Sequence, residues 1–191
     1  EKLFIRGVID RLDSVMIDGK KYIRIIDYKS GKKDLNLSEI YHGLQMQLMV
    51  YLSACVENPQ AFRADNLYPA GAFYFKIDDP MIESTDVVAE IIEEKIATEL
   101  KLDGIVVDDV KVLERFDAEL FNTGKSNVIQ VKLKQDGSFS KESKLVSESD
   151  FDLLNATLAH ARSTIAEDLD YLRVCLNANP AQVVNMSLGG F

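Results

Sequence analysis

The sequence predicts an α/β fold, because short β-branched and aromatic runs take turns along the chain with segments of three-and-four helical spacing. Strand-like patterns fall over residues 4–13, 22–31, 70–77, 105–107 and 127–134. Helical patterns fall over residues 36–56, 86–102, 109–120 and 147–176. Asp-Gly, Asn-Pro and Asp-Pro pairs punctuate them where turns belong.

The first two strands form the most informative unit. Phe4, Ile5, Val8 and Ile9 fill one, and Tyr22, Ile23, Ile25 and Ile26 the other. Between them, Asp18-Gly19 matches a two-residue type I′ hairpin turn, whose central residues both need positive φ. That turn sets Ile17 against Lys20 and fixes every later pair, including Leu12 with Ile25, Asp10 with Asp27 and Val8 with Lys29. Asn36, with Glu39 three residues on, marks a helix start of capping-box type. The helix is expected to reach Val56, with Leu44, Leu48, Leu52 and Cys55 as its buried stripe. Asn58-Pro59 ends it, and residues 60–68 read as a loop before the strand Ala70–Ile77, whose Phe73, Tyr74 and Phe75 read as packing. Asp78-Asp79-Pro80 closes that strand as a solvated turn. Asp86 is the expected cap of a helix to Leu102 that turns Val88, Ile91, Ile92, Ile96 and Leu100 inward. A short strand follows Gly104, then a helix over 109–120, then an alternating strand over 127–134 with Ile129, Val131 and Leu133 on one side. Asp136-Gly137 signals a second turn, and Ser147 or Ser149 caps a last helix to Leu176.

The hairpin register carries the chemistry. Asp10 and Asp27 face each other on one side of the sheet, with Cα atoms about 4.5–5.5 Å apart. Like charges so placed repel, and a divalent cation between them turns repulsion into coordination. Lys29, two residues past Asp27, shares that face, with Leu12, Ile25 and Val8 as an apolar floor. Taken singly, an Asp-x-Lys tripeptide is more often an ordinary charged edge than a site. The opposed second acid and the buried-strand pattern of Ile23–Ile26 weigh toward a site. Arg11 and Asp13 fall on the other face and read as a structural pair, with Ser30 closing a turn.

These stretches, GVIDRLD, IIDYKSG and then LQMQLMVYL, resemble the core of the PD-(D/E)XK nuclease superfamily in its RecB-like branch. PAGAFYFKIDDP, LDGIVVDDVKVLERFD and KQDGSFSKESKLVSESDFDLL are similar, in that order, to the C-terminal nuclease region of AddB-type helicase–nuclease subunits. The resemblance runs from about Phe4 to Pro180. It implies a restriction-endonuclease-like core, a central mixed sheet flanked by helices, with one nuclease domain over residues 1–180 and a loosely held tail over 181–191. It implies Mg²⁺, with Mn²⁺ as a substitute, on Asp10, Asp27 and the backbone carbonyl of Tyr28. Lys29 then acts on the nucleophilic water or the charge at phosphorus. Gln47 and Tyr51, four residues apart on one helix, help place the scissile strand; the same spacing also suits a solvent-facing Gln47, Gln45 in its stead, and a core Tyr51. The implied activity is exonucleolytic hydrolysis of the 5′-ended DNA strand during break repair, beside an AddA-type partner that carries the ATP-driven motor. A stand-alone RecB- or Cas4-like nuclease and a catalytically silent scaffold for DNA-end or subunit docking are the alternatives.

Two features depart from the family pattern. RecB-like nucleases bring a His or Glu to the metal from an upstream helix, and the sequence begins at Glu1, almost inside a strand. AddB-type subunits hold a 4Fe-4S cluster on four cysteines, and Cys55 and Cys175 match none of those positions, so no cluster is expected within these residues. Both read instead as buried, reduced thiols of a cytoplasmic protein. His42 and His160 stand alone at no ligand spacing.

Composition sets the outer bounds. With 191 residues, 47% hydrophobic and 28% charged, the chain suits one globular domain, and no apolar run approaches a membrane span. A net charge of −9 is wrong for holding DNA unaided, which places most of the basic channel on other parts or a partner, with a local path near Lys29, Lys32 and Lys33. No glycine-rich phosphate loop is present, which argues against a nucleotide site.

Overall fold

The computed structural model describes residues 7–31, 34–42, 45–77, 89–160 and 163–164. Five strands, β1 (Arg11–Ile17), β2 (Lys20–Lys29), β3 (Tyr68–Lys76), β4 (Asp103–Val107) and β5 (Leu145–Val146), form one sheet in the order β1-β2-β3-β4-β5. β1–β2 and β3–β4 are antiparallel, whereas β2–β3 and β4–β5 are parallel, so the sheet is mixed as expected. The hairpin register is the one the turn dictates: Ile17 pairs with Lys20 and Arg11 with Ile26. Asp18 (φ 50°) and Gly19 (φ 79°) both take the left-handed region that this turn demands. The first strand lies later than its apolar residues suggested. Gly7–Ile9 are outside β1, Val8 is 78% exposed and provides no floor, and Phe4 and Ile5 fall outside the described residues.

The parallel β2–β3 pair needs a crossover, supplied by α1 (Leu37–Tyr41), α2 (Gln47–Glu57) and a 3₁₀ turn at Pro59–Phe62. The single helix expected to Val56 is therefore two. Asn36 caps α1 by accepting the Ser38 N–H, but Glu39 does not complete a capping box; its carboxylate takes the Gln45 side-chain amide instead. Gln45, two residues before α2, has φ 52°, a left-handed conformation that one continuous helix over 36–56 could not contain. From there Leu48, Leu52 and Cys55 face the sheet as a buried stripe, while Leu44 lies outside the described residues. Each large apolar side chain so buried is worth about 1.5–3 kcal/mol.

Alternate residues of the strands feed two cores. Ile23, Ile25, Ala72, Tyr74, Ile105 and Val107 pack under α2, joined by Phe151 and Leu154. Those last two come from α6 (148–160), which Ser147 caps reciprocally with Asp150. Ile26, Phe73 and Val106 point the other way, against Leu113, Leu120, Ile129 and Val131. Leu113 and Leu120 belong to α4 (Val110–Phe116) and α5 (Leu120–Thr123), two helices where one was expected. Asp117 divides them: its carboxylate accepts from Ser126 Oγ, the Asn127 N–H and the Glu119 N–H, outcompeting a continued helix. Residues 127–134 bury Ile129 and Val131 as the alternation predicts, yet make only isolated bridges. Their N–H groups are drawn off locally, Val128 and Ile129 both donating to Ser126 Oγ.

Helix α3 (Ala89–Glu99) is shorter than predicted. It stops at Glu99, so Leu100 lies beyond it at 42% exposure and Leu102 bridges to Ile129; Ile91 is also 39% exposed rather than inward. The Asp78-Asp79-Pro80 turn, Asp86, Val88, Lys32, Lys33, Cys175 and the 181–191 tail lie outside the described residues. No described helix is long and apolar enough to cross a membrane.

Candidate metal and catalytic site

The site lies where β1 ends and β2 runs past it. Asp10 comes one residue before β1, next in register opposite Asp27. Its Oδ2 accepts the Tyr28 N–H at 2.9 Å, which holds the Asp10 carboxylate at the end of the hairpin ladder. Asp27 is 3% exposed, directly after the buried Ile25 and Ile26. Its Oδ2 has no hydrogen bond, although the Lys29 ammonium lies 2.5 Å away as an ion pair. The Lys29 ammonium thus offsets one of two neighbouring carboxylates, and a divalent cation shared with Asp10 would offset the other.

Lys29 is steered from the helix side. Its Nζ donates to Gln47 Oε1 at 3.0 Å, and Gln47 Nε2 donates to the Tyr51 hydroxyl at 3.2 Å. One continuous line, Asp27–Lys29–Gln47–Tyr51, thus ties β2 to the first two turns of α2. Gln45 faces away from it, bonding Glu39 and the Asn36 N–H. Gly7 lets the chain pass Tyr51: a Cβ there would stand 2.5 Å from the ring carbon Cε1 and 2.9 Å from the hydroxyl. The structure therefore gathers Asp10, Asp27, Lys29, Gln47 and Tyr51 at one end of the sheet, with the Tyr28 backbone between the acids.

The opposite face holds the remaining motif residues apart from the site. Arg11 Nε donates to both Asp13 oxygens, and Arg24 Nε donates to Asp13 Oδ2 at 2.8 Å. Arg24 also covers the Phe116 ring, so Arg11 and Asp13 act as a structural cluster. His160 and His42 are both exposed, and Cys55 is a buried free thiol whose pKa burial pushes up.

Three neighbours escaped the sequence reading. In the sheet register Asp27 stands opposite Tyr74, and Tyr74 opposite Asp103, which sets all three on one face. Burial, and then the carboxylates of Asp27 and Asp103, push the Tyr74 phenol up to about 12. The Lys29 ammonium lies 5.5 Å from the Tyr74 ring centre. Asp103 accepts the Leu35 N–H at 2.7 Å and pairs with Lys144, whose Nζ also donates to the Leu35 carbonyl at 3.0 Å. That clamp ties Leu35, just before α1, to the start of β4. A parallel crossover pairing leaves no local signal, so only the register of β2 with β3 reveals this row.

Among the described residues no group of three or more His, Cys, Asp or Glu side chains converges on one point. Two carboxylates suit Mg²⁺, which binds through one or two of them and keeps several waters. A structural Zn²⁺ site would need four ligands. The residues present fit a hard divalent cation.

Residues 2–170 match the model of the PD-(D/E)XK nuclease superfamily. The chain is 37% identical over 167 residues to the B-type subunit of the ATP-dependent helicase/deoxyribonuclease of Alkaliphilus oremlandii (strain OhILAs), covering 87% of this chain and 14% of that protein. It is 40% identical over 169 residues to the counterpart of the same name in Alkaliphilus metalliredigens (strain QYMF), with the same coverage of each. The counterpart in Clostridium perfringens (strain SM101 / Type A) is 41% identical over 155 residues, 81% of this chain and 13% of its own length. The chain thus spans about a seventh of the curated relatives it matches.

Proposed function

The chain belongs to the PD-(D/E)XK nuclease superfamily, and from that premise we propose that it is the DNA exonuclease domain of an AddB-type helicase–nuclease subunit. One observation carries the reading: the buried Asp27 carboxylate stands next in register to Asp10 and is ion-paired with an ammonium that a helix side chain holds in place. Asp10, Asp27 and the Tyr28 carbonyl would hold the Mg²⁺, or Mn²⁺ in its place. When bound, such a cation supplies a Lewis acid for a phosphoryl oxygen and a more acidic water. Lys29, a donor only when charged, stabilises negative charge as it grows on the phosphoryl group. Gln47 gives that ammonium a second anchor beside Asp27, and Tyr51 orients Gln47.

The substrate in this reading is the 5′-ended strand of linear DNA, handed over by an AddA-type partner in break repair and recombination in the cytoplasm. ATP serves the motor and not these residues. The domain spans residues 1–180, and its net charge of −9 leaves most phosphate binding to surfaces outside it. The test is digestion of linear duplex DNA by the complete two-subunit complex with ATP and Mg²⁺. Asp27→Ala is expected to abolish cleavage of one strand while unwinding continues. Undiminished digestion of both strands would overturn the proposal.

A further inference from the structure

A second pair of like charges is set side by side in this sheet. Lys76 is the register partner of Lys29 across the parallel β2–β3 pair, so both side chains leave the same face. The backbone stays tied just beyond them, where the Ile77 N–H donates to the Lys29 carbonyl at 3.1 Å. Two facing ammonium groups repel. The Lys29 charge is met by Asp27 and Gln47. Among the described residues, Lys76 has no hydrogen-bond or ion-pair partner, though it is half-buried.

Both lysines line one cleft of about 160 Å³, together with Gly31, Lys101 and Gln130. Its acids do not neutralise Lys76. Asp103 is engaged by Lys144 and the Leu35 N–H, and neither Asp34 nor Glu99 pairs with it. An ammonium opposite another ammonium, open to the same cleft as Lys29, is placed to meet an anion.

We propose that Lys76 binds the phosphodiester next to the scissile one on the bound nucleic-acid strand. Lys29 acts at the reacting phosphate, and Lys76 holds its neighbour and sets the strand's register. This rests on the reading that the site takes a DNA strand. It assigns Lys76 to ground-state binding rather than chemistry, which separates the two residues in kinetics.

The test is fluorescence anisotropy of a labelled oligo(dT) bound to the complete protein in EDTA, over a series of NaCl concentrations. Losing one phosphate contact to single-stranded DNA flattens the slope of log K against log salt by about 0.7, which is about five-fold in affinity at 0.1 M salt. Lys76→Gln is expected to show both changes, and Lys76→Arg neither. In cleavage assays with Mg²⁺, Lys76→Gln should raise KM and leave kcat alone. An unchanged slope and affinity in Lys76→Gln would overturn the assignment. A flattened slope in a protein that never cleaves DNA would keep the phosphate contact and sink the nuclease reading instead.

Discussion

Gln47 links the helix to the reacting group, so removing it tests whether the line of contacts matters. Gln47→Leu keeps the shape of the side chain but deletes the acceptor for Lys29 Nζ at 3.0 Å and the donor to Tyr51 at 3.2 Å. A hydrogen bond to a charged group contributes about 1.5–3 kcal/mol, and a neutral one about 1. Lys29 keeps its ion pair with Asp27, and its side chain is 26% exposed, so water replaces part of the loss. The stability cost should therefore be small, about 2 kcal/mol or less. The larger effect is positional: with one of its two anchors gone the ammonium is no longer held in one place, and misplacing a catalytic group by about 1 Å costs on the order of 100-fold in turnover. Single-turnover digestion of linear DNA by the complete protein, alongside a thermal melt, reads both quantities. The expected outcome is a fall of about 10- to 100-fold in rate, with a native-like melt. Gln47→Glu, which retains an acceptor, should lose less. A folded Gln47→Leu protein that cleaves at the native rate would refute the positioning role.

Two further substitutions probe the frame around the site. In Gly104→Ala the added Cβ would stand 2.0 Å from the Ala72 carbonyl oxygen and 2.7 Å from the Phe73 Cα, so β3 and β4 must separate; chemical denaturation should show a loss of about 3 kcal/mol. Burial raises the Asp13 carboxyl, but Arg11 and Arg24 together outweigh it and hold the pKa below the usual range. A depressed carboxylate stabilises the fold above its unfolded value of about 3.9, and that contribution disappears as pH falls through the folded value. Asp13→Asn should therefore cost at most about 1 kcal/mol near neutrality, given the partial exposure of the cluster, and almost nothing in acid. A cost that is constant from neutral pH to acid would contradict the ion-pair explanation.

Much of the site was legible because it is local. The Asp18-Gly19 turn and a period of two were enough to oppose Asp10 with Asp27 and to place Lys29 beside Asp27. The Gln47–Tyr51 spacing was legible too, since one helical turn brings them together. What failed was decided by side chains acting on backbone. Gln45 in a left-handed conformation broke the first helix, and Asp117, by accepting three donors, broke another. Residues 127–134 kept their apolar alternation, but Val128 and Ile129 gave their N–H groups to Ser126 Oγ and Lys132 gave its own to Ser143 Oγ instead of a ladder. The row Asp27–Tyr74–Asp103 and the Lys29–Lys76 pair depend on a parallel crossover register, which no stretch of sequence encodes locally.

Calorimetric titration of the complete protein with Mn²⁺ addresses the pairing of Asp10 and Asp27 without requiring catalysis. The native protein is expected to bind the ion weakly at this site, and Asp10→Ala and Asp27→Ala should each remove that binding event. Either variant binding Mn²⁺ with native stoichiometry and affinity would mean that the two carboxylates do not share a cation.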